Sequence, residues 1–293
     1  MSVYILLAIQ VLIASGTHVV AKAVSDEIAP IPLTFLRTII SAFVLAGIFF
    51  VREKRVKLVQ GEYRMLAWLS FLAVPLNQFM FMYGIRYTTA GNAALLYAIT
   101  PALVLVLSHY LLKERLTRRK AAGVILAFCG VLLVIFEHGV NFSSSYTFGN
   151  IVIFMAVIAW SFYTVQSKPM IVRHGAFHMS ALTLIIGAVI FSPMGAYETF
   201  ADGAASQTFS ISSLTFSEWG GILYLGLGTS VISYLLWFYA LGKIETSKAA
   251  VFANAQPVVT SILSFLILGQ TISGNFILGG VLTIAGVLLT QIG

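Results

Sequence analysis

The sequence predicts an all-α membrane protein in which ten transmembrane helices form two inverted five-helix repeats. Three observations support this fold class. Of the 293 residues, 59% are hydrophobic and 9% are charged, and the mean hydropathy is +0.96, whereas soluble domains are about half apolar and a quarter charged. The apolar runs approach the roughly 20 residues that a helix needs to cross a bilayer. Finally, a stretch of 51 residues recurs later in the chain without a gap.

Short polar breaks divide the chain into ten apolar segments. They cover residues 3–24, 31–51, 63–84, 89–112, 119–136, 149–168, 177–198, 217–240, 246–268 and 273–292. At 1.5 Å of rise per residue, a segment of about 20 residues matches a hydrocarbon core about 30 Å thick. The first segment follows Met1 and Ser2 without the basic stretch and cleavage site of a secretory signal, so we interpret it as a helix of the protein.

Lysine and arginine predict the orientation, because cytoplasmic loops carry the excess of these residues. If the N-terminus is cytoplasmic, fourteen of the seventeen basic residues fall on the cytoplasmic side. Lys22 and Arg86 fall outside, and Arg37 lies within the second helix. The sequence therefore predicts that both termini are cytoplasmic, and the basic clusters near 52–57 and 113–120 are expected to contact phospholipid.

The internal repeat aligns residues 83–133 with residues 239–289 at a constant offset of 156, and 13 of the 51 aligned positions are identical. The informative matches are Tyr83/Tyr239, Pro101/Pro257, Gly123/Gly279 and Gly130/Gly286. A weaker match aligns residues 15–22 of helix 1 with residues 161–168 of helix 6. The repeat unit is therefore five helices long.

An odd number of helices in the unit means that the two copies cross the membrane in opposite directions, as in many secondary transporters. We expect a first repeat over residues 1–137, an external linker over 138–148 and a second, inverted repeat over 149–293. In such proteins the solute binds near the middle of the membrane, between the repeats.

The repeat, a proline within helices 4 and 9, a polar KERLT turn and a glycine pattern in helices 5 and 10 resemble the drug/metabolite transporter superfamily, in particular its EamA-type exporters. The motif residues are Pro101, Glu114, Leu116, Thr117, Gly123 and Gly130 in the first half, and Pro257, Gln270, Ile272, Ser273, Gly279 and Gly286 in the second. Gln270 departs from the pattern, because such repeats usually carry a glutamate there. This departure puts a loop-capping role in doubt.

The chain is most similar to the bacterial exporters of aromatic amino acids. The resemblance implies a secondary transporter or facilitator in the bacterial inner (plasma) membrane. Its cargo would be a small organic solute, with amino acids including aromatic ones expected, moved out of the cell by alternating access. The implied partners are this solute and the lipid bilayer, with no nucleic acid and no ATPase subunit, and a monomer is one possible state.

Two other functions stay open. A transporter of nucleotide-linked or phosphorylated metabolites should present several basic residues to its cavity, and the sequence offers Arg37, Lys22 and Lys248. A membrane-embedded enzyme would need a cluster of nucleophile, base or metal ligands on neighbouring helices, and the sequence contains no such cluster. It also lacks a phosphate-binding G-x-x-x-x-G-K-[ST] loop. We therefore expect no enzymatic activity, metal or cofactor.

All ten acidic residues lie in predicted loops or at predicted helix ends. A carrier that exchanges protons for lipophilic cations usually needs a carboxylate within the membrane, where such groups are expensive and kept for function. The sequence therefore disfavours multidrug-cation antiport. It favours a facilitator, with proton antiport through His18 as the alternative.

Polar and aromatic residues inside the predicted helices are the candidates for substrate binding. They are His18, Asn77, Gln78, Tyr97, Trp160, Tyr163, Ser230, Tyr234, Asn254 and Gln256. Spacings of three, four and seven residues place rings and hydroxyls on one face of helix 6 and one face of helix 8, which would suit an aromatic solute. Packing and interfacial anchoring are the alternatives for these faces, and hydrogen bonding between helices is the alternative for the amides.

Other residues are assigned structural roles. We interpret Arg37 as extending to the external interface, with attraction of a substrate carboxylate as the alternative. Trp237 is typical of the interfacial aromatic belt, and Cys129 is interpreted as a small packed side chain. Pro101 and Pro257 are candidate hinges, because proline lacks an N–H and crowds the carbonyl four residues earlier. Static kinks are the alternative for both.

Overall fold

The computed structural model describes residues 3–51, 58–112, 116–139, 143–200, 210–243 and 255–292, and over these residues it contains helices and no strands. The helices are α1 (Val3–Ser25), α2 (Pro30–Val51), α3 (Gln60–Ile85), α4 (Ala90–Tyr97 and Thr100–Leu112), α5 (Arg118–Ile135), α6 (Ser145–His174), α7 (Ala176–Phe200), α8 (Phe216–Leu223, Tyr224–Ser233 and Tyr234–Leu241), α9 (Gln256–Leu268) and α10 (Gly274–Ile292). The predicted all-α class with ten helices is confirmed.

Seven of the described helices, α1 to α4 and α6 to α8, are long and apolar enough to cross a membrane. The 18-residue α5 begins with three basic residues, Arg118, Arg119 and Lys120. The described parts of α9 and α10 are shorter apolar helices. The predicted start of helix 9, at residue 246, lies outside the described residues.

The predicted boundaries differ most from the structure in α6, which spans 30 residues instead of the predicted range 149–168. Pro169 lies inside the helix and does not end it. The helix stops at Gly175, whose φ of 87° is a conformation that glycine adopts without a steric cost. Arg173, which lies beyond the predicted end of the helix, is therefore helical.

Helices that are five apart in the chain occupy equivalent places in the fold. α5 packs along α10, and α2 packs along α7. α1 contacts α8 and α9, and its equivalent α6 contacts α3 and α4 in the same way. The two halves are thus related by a pseudo-two-fold axis, and α1, α3, α4, α6, α8 and α9 surround a central space.

Four glycines bring α5 and α10 into backbone contact, and we call them the glycine seam: Gly123, Gly130, Gly279 and Gly286. A methyl group added at Gly123 would lie 2.6 Å from the carbonyl oxygen of Gly286, and one added at Gly130 would lie 2.5 Å from that of Gly279. Small residues allow such close approach of membrane helices. Because the repeat equates Gly123 with Gly279 and Gly130 with Gly286, the crossed contacts show that the equivalent helices run antiparallel.

Cys129 lies between two glycines of the seam in sequence but not in space. Its side chain is exposed on the surface of α5, so the interpretation of Cys129 as a packed side chain is wrong. The reason is helical geometry, since a residue one position before Gly130 points about 100° away from it.

The polar turn of the repeat motif caps the two seam helices. Thr117 Oγ1 accepts a hydrogen bond from the Lys120 N–H at 3.3 Å, and Ser273 Oγ accepts one from the Phe276 N–H at 3.0 Å. Both are N-cap interactions at equivalent positions. Gln270 does something different, because its side-chain oxygen accepts from the Ala90 N–H at 3.2 Å and so links the end of α9 to the start of α4.

Candidate functional site

A cavity of about 130 Å³ lies between the two halves. Its lining comes from seven helices: Gln10, Ala14, Thr17 and His18 of α1, Arg37 of α2, Asn77, Gln78 and Phe81 of α3, Tyr97, Thr100, Pro101 and Val104 of α4, Trp160 and Thr164 of α6, Thr229, Ser233, Tyr234 and Trp237 of α8, and Gln256 of α9. Among these residues there is one permanent charge, on Arg37, and no carboxylate. The site is therefore polar, aromatic and cationic.

Seven of the ten predicted binding residues line this cavity: His18, Asn77, Gln78, Tyr97, Trp160, Tyr234 and Gln256. Tyr163 does not, because its hydroxyl points to α7 and lies 2.9 Å from Thr183 Oγ1. Ser230 is also buried behind the lining, where it holds Arg37. Asn254 lies outside the described residues. Substrate binding by these residues stays a prediction.

The two repeats contribute equivalent positions to the cavity. At the offset of 156 the lining pairs are Asn77/Ser233, Gln78/Tyr234, Phe81/Trp237 and Thr100/Gln256; at the offset of 146 that relates helices 1 and 6 they are Ala14/Trp160 and His18/Thr164. No pair consists of two identical residues. The scaffold of the cavity is therefore symmetric, and its chemistry is not.

π-helical segments interrupt α3 at Leu72–Gln78 and α8 at Tyr224–Ser233. Such segments are frequent at functional sites, and both supply lining residues near their C-terminal ends. The α3 segment contains Pro75, which cannot donate a backbone hydrogen bond. In α8 the Ser230 hydroxyl donates to the Leu225 carbonyl at 3.0 Å. Apart from Pro75, the sequence gives no signal for these segments.

His18 is enclosed by aromatic rings. It is 5% exposed, and its ring centroid lies 5.4 Å from that of Phe81 and 5.7 Å from that of Tyr97, edge to face in both cases. Nδ1 is 2.9 Å from the carbonyl oxygen of Ala14. Because a carbonyl only accepts, this contact places a proton on Nδ1, and Nε2 is the nitrogen that can gain or lose a second proton.

Another part of the cavity wall is built from two packed rings and an anchored amide. The centroids of Trp160 and Tyr234 are 5.1 Å apart, with the ring planes tilted by 47°. Asn77 Nδ2 donates to the Tyr97 hydroxyl at 2.6 Å and to the Ala156 carbonyl at 2.9 Å, so it both ties α3 to α6 and orients a lining ring. This asparagine therefore combines the two roles that the sequence left open.

Trp237 faces the cavity, so its assignment to the interfacial belt is wrong. Its indole Nε1 is buried and has no hydrogen-bond partner within the described ranges. The spacing of Ser233, Tyr234 and Trp237 on one helical face indicated this placement, because the first two also line the cavity.

Arg37 is the main lining residue that the sequence analysis placed elsewhere. It is 2% exposed and lies seven residues into α2, about 10 Å along the helix axis. Its Nη2 donates to Ser230 Oγ at 2.9 Å, across to α8. The side chain therefore extends inward to the cavity instead of outward to the membrane interface.

α4 breaks at Ala98 and Ile99, directly before Pro101. Pro101 cannot bond the Tyr97 carbonyl, and the Thr100 hydroxyl donates to that carbonyl at 2.7 Å instead. Pro257 lies in the first turn of the described part of α9, and the residues before Ala255 are not described. The hinge roles of both prolines stay predictions.

The described carboxylates lie at the ends of the bundle, away from the cavity. At one end Glu62 accepts from Arg173 at 2.8 Å and lies 3.1 Å from His174 Nε2, which ties α3 to α6. In the described part of the chain, no three His, Cys, Asp or Glu side chains are placed to hold a metal ion. The cavity therefore offers binding groups rather than an acid-base or metal centre.

At the opposite end of the bundle Glu137 follows α5 and accepts from Asn92 at 2.9 Å, from Tyr146 at 2.7 Å and from Ser273. Burial raises the pKa of the Glu137 carboxyl, but the three hydrogen bonds outweigh burial and hold this pKa below its ordinary value. Glu137 thus joins this end of the glycine seam to the starts of α4 and α6. A second cavity, of about 340 Å³, borders this cluster.

Comparison with known proteins gives one consistent family. The EamA-like transporter family matches residues 1–136 and 147–292. An uncharacterized transporter of Archaeoglobus fulgidus is 30% identical over 288 residues, which cover 98% of this chain and 96% of that protein. A probable amino-acid metabolite efflux pump of Salmonella typhimurium is 27% identical over 292 residues, covering 98% and 94%. A crystal structure with 19% identity and a TM-score of 0.68 covers 98% of this chain and 96% of that one, which shows the fold alone.

Proposed function

This chain belongs to the EamA-like transporter family, and from that premise we propose that it moves small organic solutes, aromatic amino acids among them, out of the cell by alternating access. One observation carries the proposal: a polar and aromatic cavity lies between two inverted halves and is lined by equivalent positions of both. We place the protein in a bacterial inner membrane with both termini cytoplasmic, because that orientation puts fourteen of seventeen basic residues inside.

The lining supports an aromatic amino acid as cargo. Trp160, Tyr234, Trp237 and Phe81 offer ring faces and edges, which favour contact with another ring. Gln10, Gln78 and Gln256 offer amides that can pair with polar groups of the solute. The 27% identical relative that is named a probable amino-acid metabolite efflux pump supports the same cargo class.

Phosphorylated and nucleotide-linked solutes fit the cavity less well. Its described lining contains one arginine and no lysine, so it offers a single positive charge to a solute that carries two or more negative charges. Lys22 pairs with Asp26 at 3.0 Å and donates to the Arg86 carbonyl at 2.9 Å, at the outer ends of α1 and α3. Lys248 lies outside the described residues.

For the coupling we propose facilitated diffusion by a single chain that works without an ATPase subunit, cofactor or nucleic acid. The described lining has no carboxylate to carry a proton, which supports this proposal. Among the described lining residues, His18 is the one group that could couple transport to protons, because Nδ1 is bonded to a carbonyl and Nε2 is left to take up a proton.

Transport by the purified protein in proteoliposomes tests the proposal. The panel is labelled phenylalanine, tryptophan, alanine, a nucleoside and a sugar phosphate, each with and without a pH gradient. We expect uptake of aromatic amino acids down their own gradients, with no accumulation driven by pH. Transport confined to the sugar phosphate would contradict the proposed cargo. Accumulation that depends on the pH gradient and disappears in His18→Gln would establish antiport.

A further inference from the structure

We propose that Arg37, held in place by Ser230, forms an anion subsite that binds the carboxylate of the transported solute, so that the cargo is a small monocarboxylate with an apolar or aromatic side group. The proposal rests on the proposed function and specifies its substrate class. It assigns the charged end of the solute to α2 and α8 and leaves the apolar end to the ring wall.

The positive charge of Arg37 has no ionic partner among the described residues. The ion pairs within the described residues are Lys22 with Asp26, and Glu62 with Arg173 and His174, and none includes Arg37. No described carboxylate lines the cavity around it. A cation that is 2% exposed without a counter-ion is expensive at this depth. An anionic group that enters the cavity would supply the missing counter-charge.

The hydrogen bonding of the Arg37 guanidinium leaves donors free for a ligand. Ser230 Oγ donates to the Leu225 carbonyl, which leaves its lone pairs for the Arg37 Nη2 donor at 2.9 Å. This one hydrogen bond holds the guanidinium at the cavity wall, while Nε–H is buried without a partner in the described structure. A planar guanidinium with free donors matches the two oxygens of a carboxylate.

An aromatic pair lies near the contact between Arg37 and Ser230. Tyr234 lies one helical turn after Ser230, on the same face of α8, and its ring packs against that of Trp160, with the centroids 5.1 Å apart and the planes tilted by 47°. A solute with its carboxylate on Arg37 can therefore place a side group against this wall. A single arginine balances one negative charge, which favours a carboxylate over a phosphate dianion.

Paired acids and amides test the subsite directly. Binding of phenylalanine and phenylalaninamide, and of phenylacetate and phenylacetamide, would be measured on the purified protein by thermal shift and by displacement of a labelled acid. We expect each acid to bind at least tenfold more tightly than its amide. Arg37→Gln should weaken acid binding at least tenfold and leave amide binding unchanged, and Arg37→Lys should restore part of the preference.

Two further variants separate the subsite from general damage. Arg64→Gln removes the same charge from the exposed first turn of α3 and should leave the acid preference intact. Ser230→Ala keeps the arginine and loses its positioning bond, so it should reduce the preference by a smaller factor, about threefold.

Three results would overturn the inference. They are equal binding of acids and amides by the unchanged protein, an acid preference that survives in Arg37→Gln, and stabilisation by chloride or inorganic phosphate but by no carboxylate. The liposome panel distinguishes these from failure of the proposed function. Transport of aromatic amino acids and of their amides at equal rates would remove the subsite while leaving the transporter function in place.

Discussion

The glycine seam and the central cavity are built by opposite rules from the same repeat. In the seam, equivalent positions of the two halves hold the same residue, and four glycines bring two helix backbones together. In the cavity, equivalent positions hold different residues, such as His18 against Thr164 and Phe81 against Trp237. Symmetric contacts thus hold the halves together, and asymmetric side chains line the cavity between them.

The difference follows from what each region must do. A backbone contact tolerates no side chain on either helix, so both copies of the repeat are under the same steric constraint. A small solute such as an amino acid has distinct ends, and a two-fold symmetric lining would offer each end the same groups. Because equivalent lining positions hold different residues, the proposed solute would bind in one orientation.

The largest expected effect is the loss of stability when a side chain is added to the glycine seam. In Gly130→Ala the added methyl group would lie 2.4 Å from Thr283 Oγ1 and 2.5 Å from the Gly279 carbonyl oxygen. Overpacking of this kind typically costs about 1–3 kcal/mol, so we expect a much lower yield of monodisperse protein and a lower melting temperature. Gly47→Ala is the control, because nothing lies within 4 Å of the added group on the exposed face of α2. Equal stability of the two variants would show that α5 and α10 can move apart at the seam without a cost in stability.

The second-largest expected effect is a loss of transport when an aromatic ring is removed from the cavity wall. Trp160→Ala should lower transport of aromatic amino acids about fivefold while the folded yield stays near that of the unchanged protein, because a lost ring contact costs on the order of 1 kcal/mol beyond area burial. Trp68→Ala is the matched control, since that tryptophan is 44% exposed on the outer surface of α3. Normal transport by Trp160→Ala would make this wall a packing element.

Pro101 and Pro257 sharpen the comparison, because they are identical residues beside the lining pair Thr100/Gln256, whose two members differ. If both are hinges, Pro101→Ala and Pro257→Ala should bias the carrier toward opposite access states, since the repeats face opposite ways. A bias of about 1 kcal/mol changes the ratio of the two states roughly fivefold.

Labelling from each side of the membrane would measure this bias. Thr164→Cys places a thiol in the cavity, and Cys129→Ala removes the exposed native thiol. An impermeant thiol reagent then reports which side has access. Shifts in the same direction, or none, would leave the two prolines as static kinks.

The smallest expected effect is a change in stability from the Glu137 cluster, at one end of the glycine seam. Because the folded pKa of Glu137 is held below its ordinary value, its carboxylate stabilises the fold fully above that ordinary value, and the contribution is lost as the pH falls toward the lowered pKa. Glu137→Gln should therefore lower the melting temperature at pH 7 by a few degrees, for roughly 1 kcal/mol, and by less at pH 4.

The same variant tests the role of acids in transport. We expect no single replacement of an Asp or Glu by its amide to abolish transport, so Glu137→Gln should stay active. Glu198→Gln is the control, since this glutamate has no hydrogen bond or ion pair in the described part of the chain. An inactive but folded Glu137→Gln would place a carboxylate on the transport path.

The sequence predicted those parts of the fold that depend on periodicity and identity. Hydropathy located the helices, and Gly123, Gly130 and their repeats indicated close packing. It missed the extent of α6, because Pro169 reads as a helix end although the helix continues to Gly175. It also misassigned Arg37 and Trp237, because depth along a helix does not tell which way a long side chain turns. That direction depends on neighbours such as Ser230, which are distant in sequence.

The π-helical segments of α3 and α8 have a mechanical consequence. Their backbone bonds span five residues instead of four, so each segment holds more chain per turn than an α-helix does. If one such turn tightened to α geometry, everything beyond it would rotate by about 100° around an axis that need not tilt. A change from π to α geometry in α3 or α8 would therefore replace the side chains that face the cavity without tilting the helix.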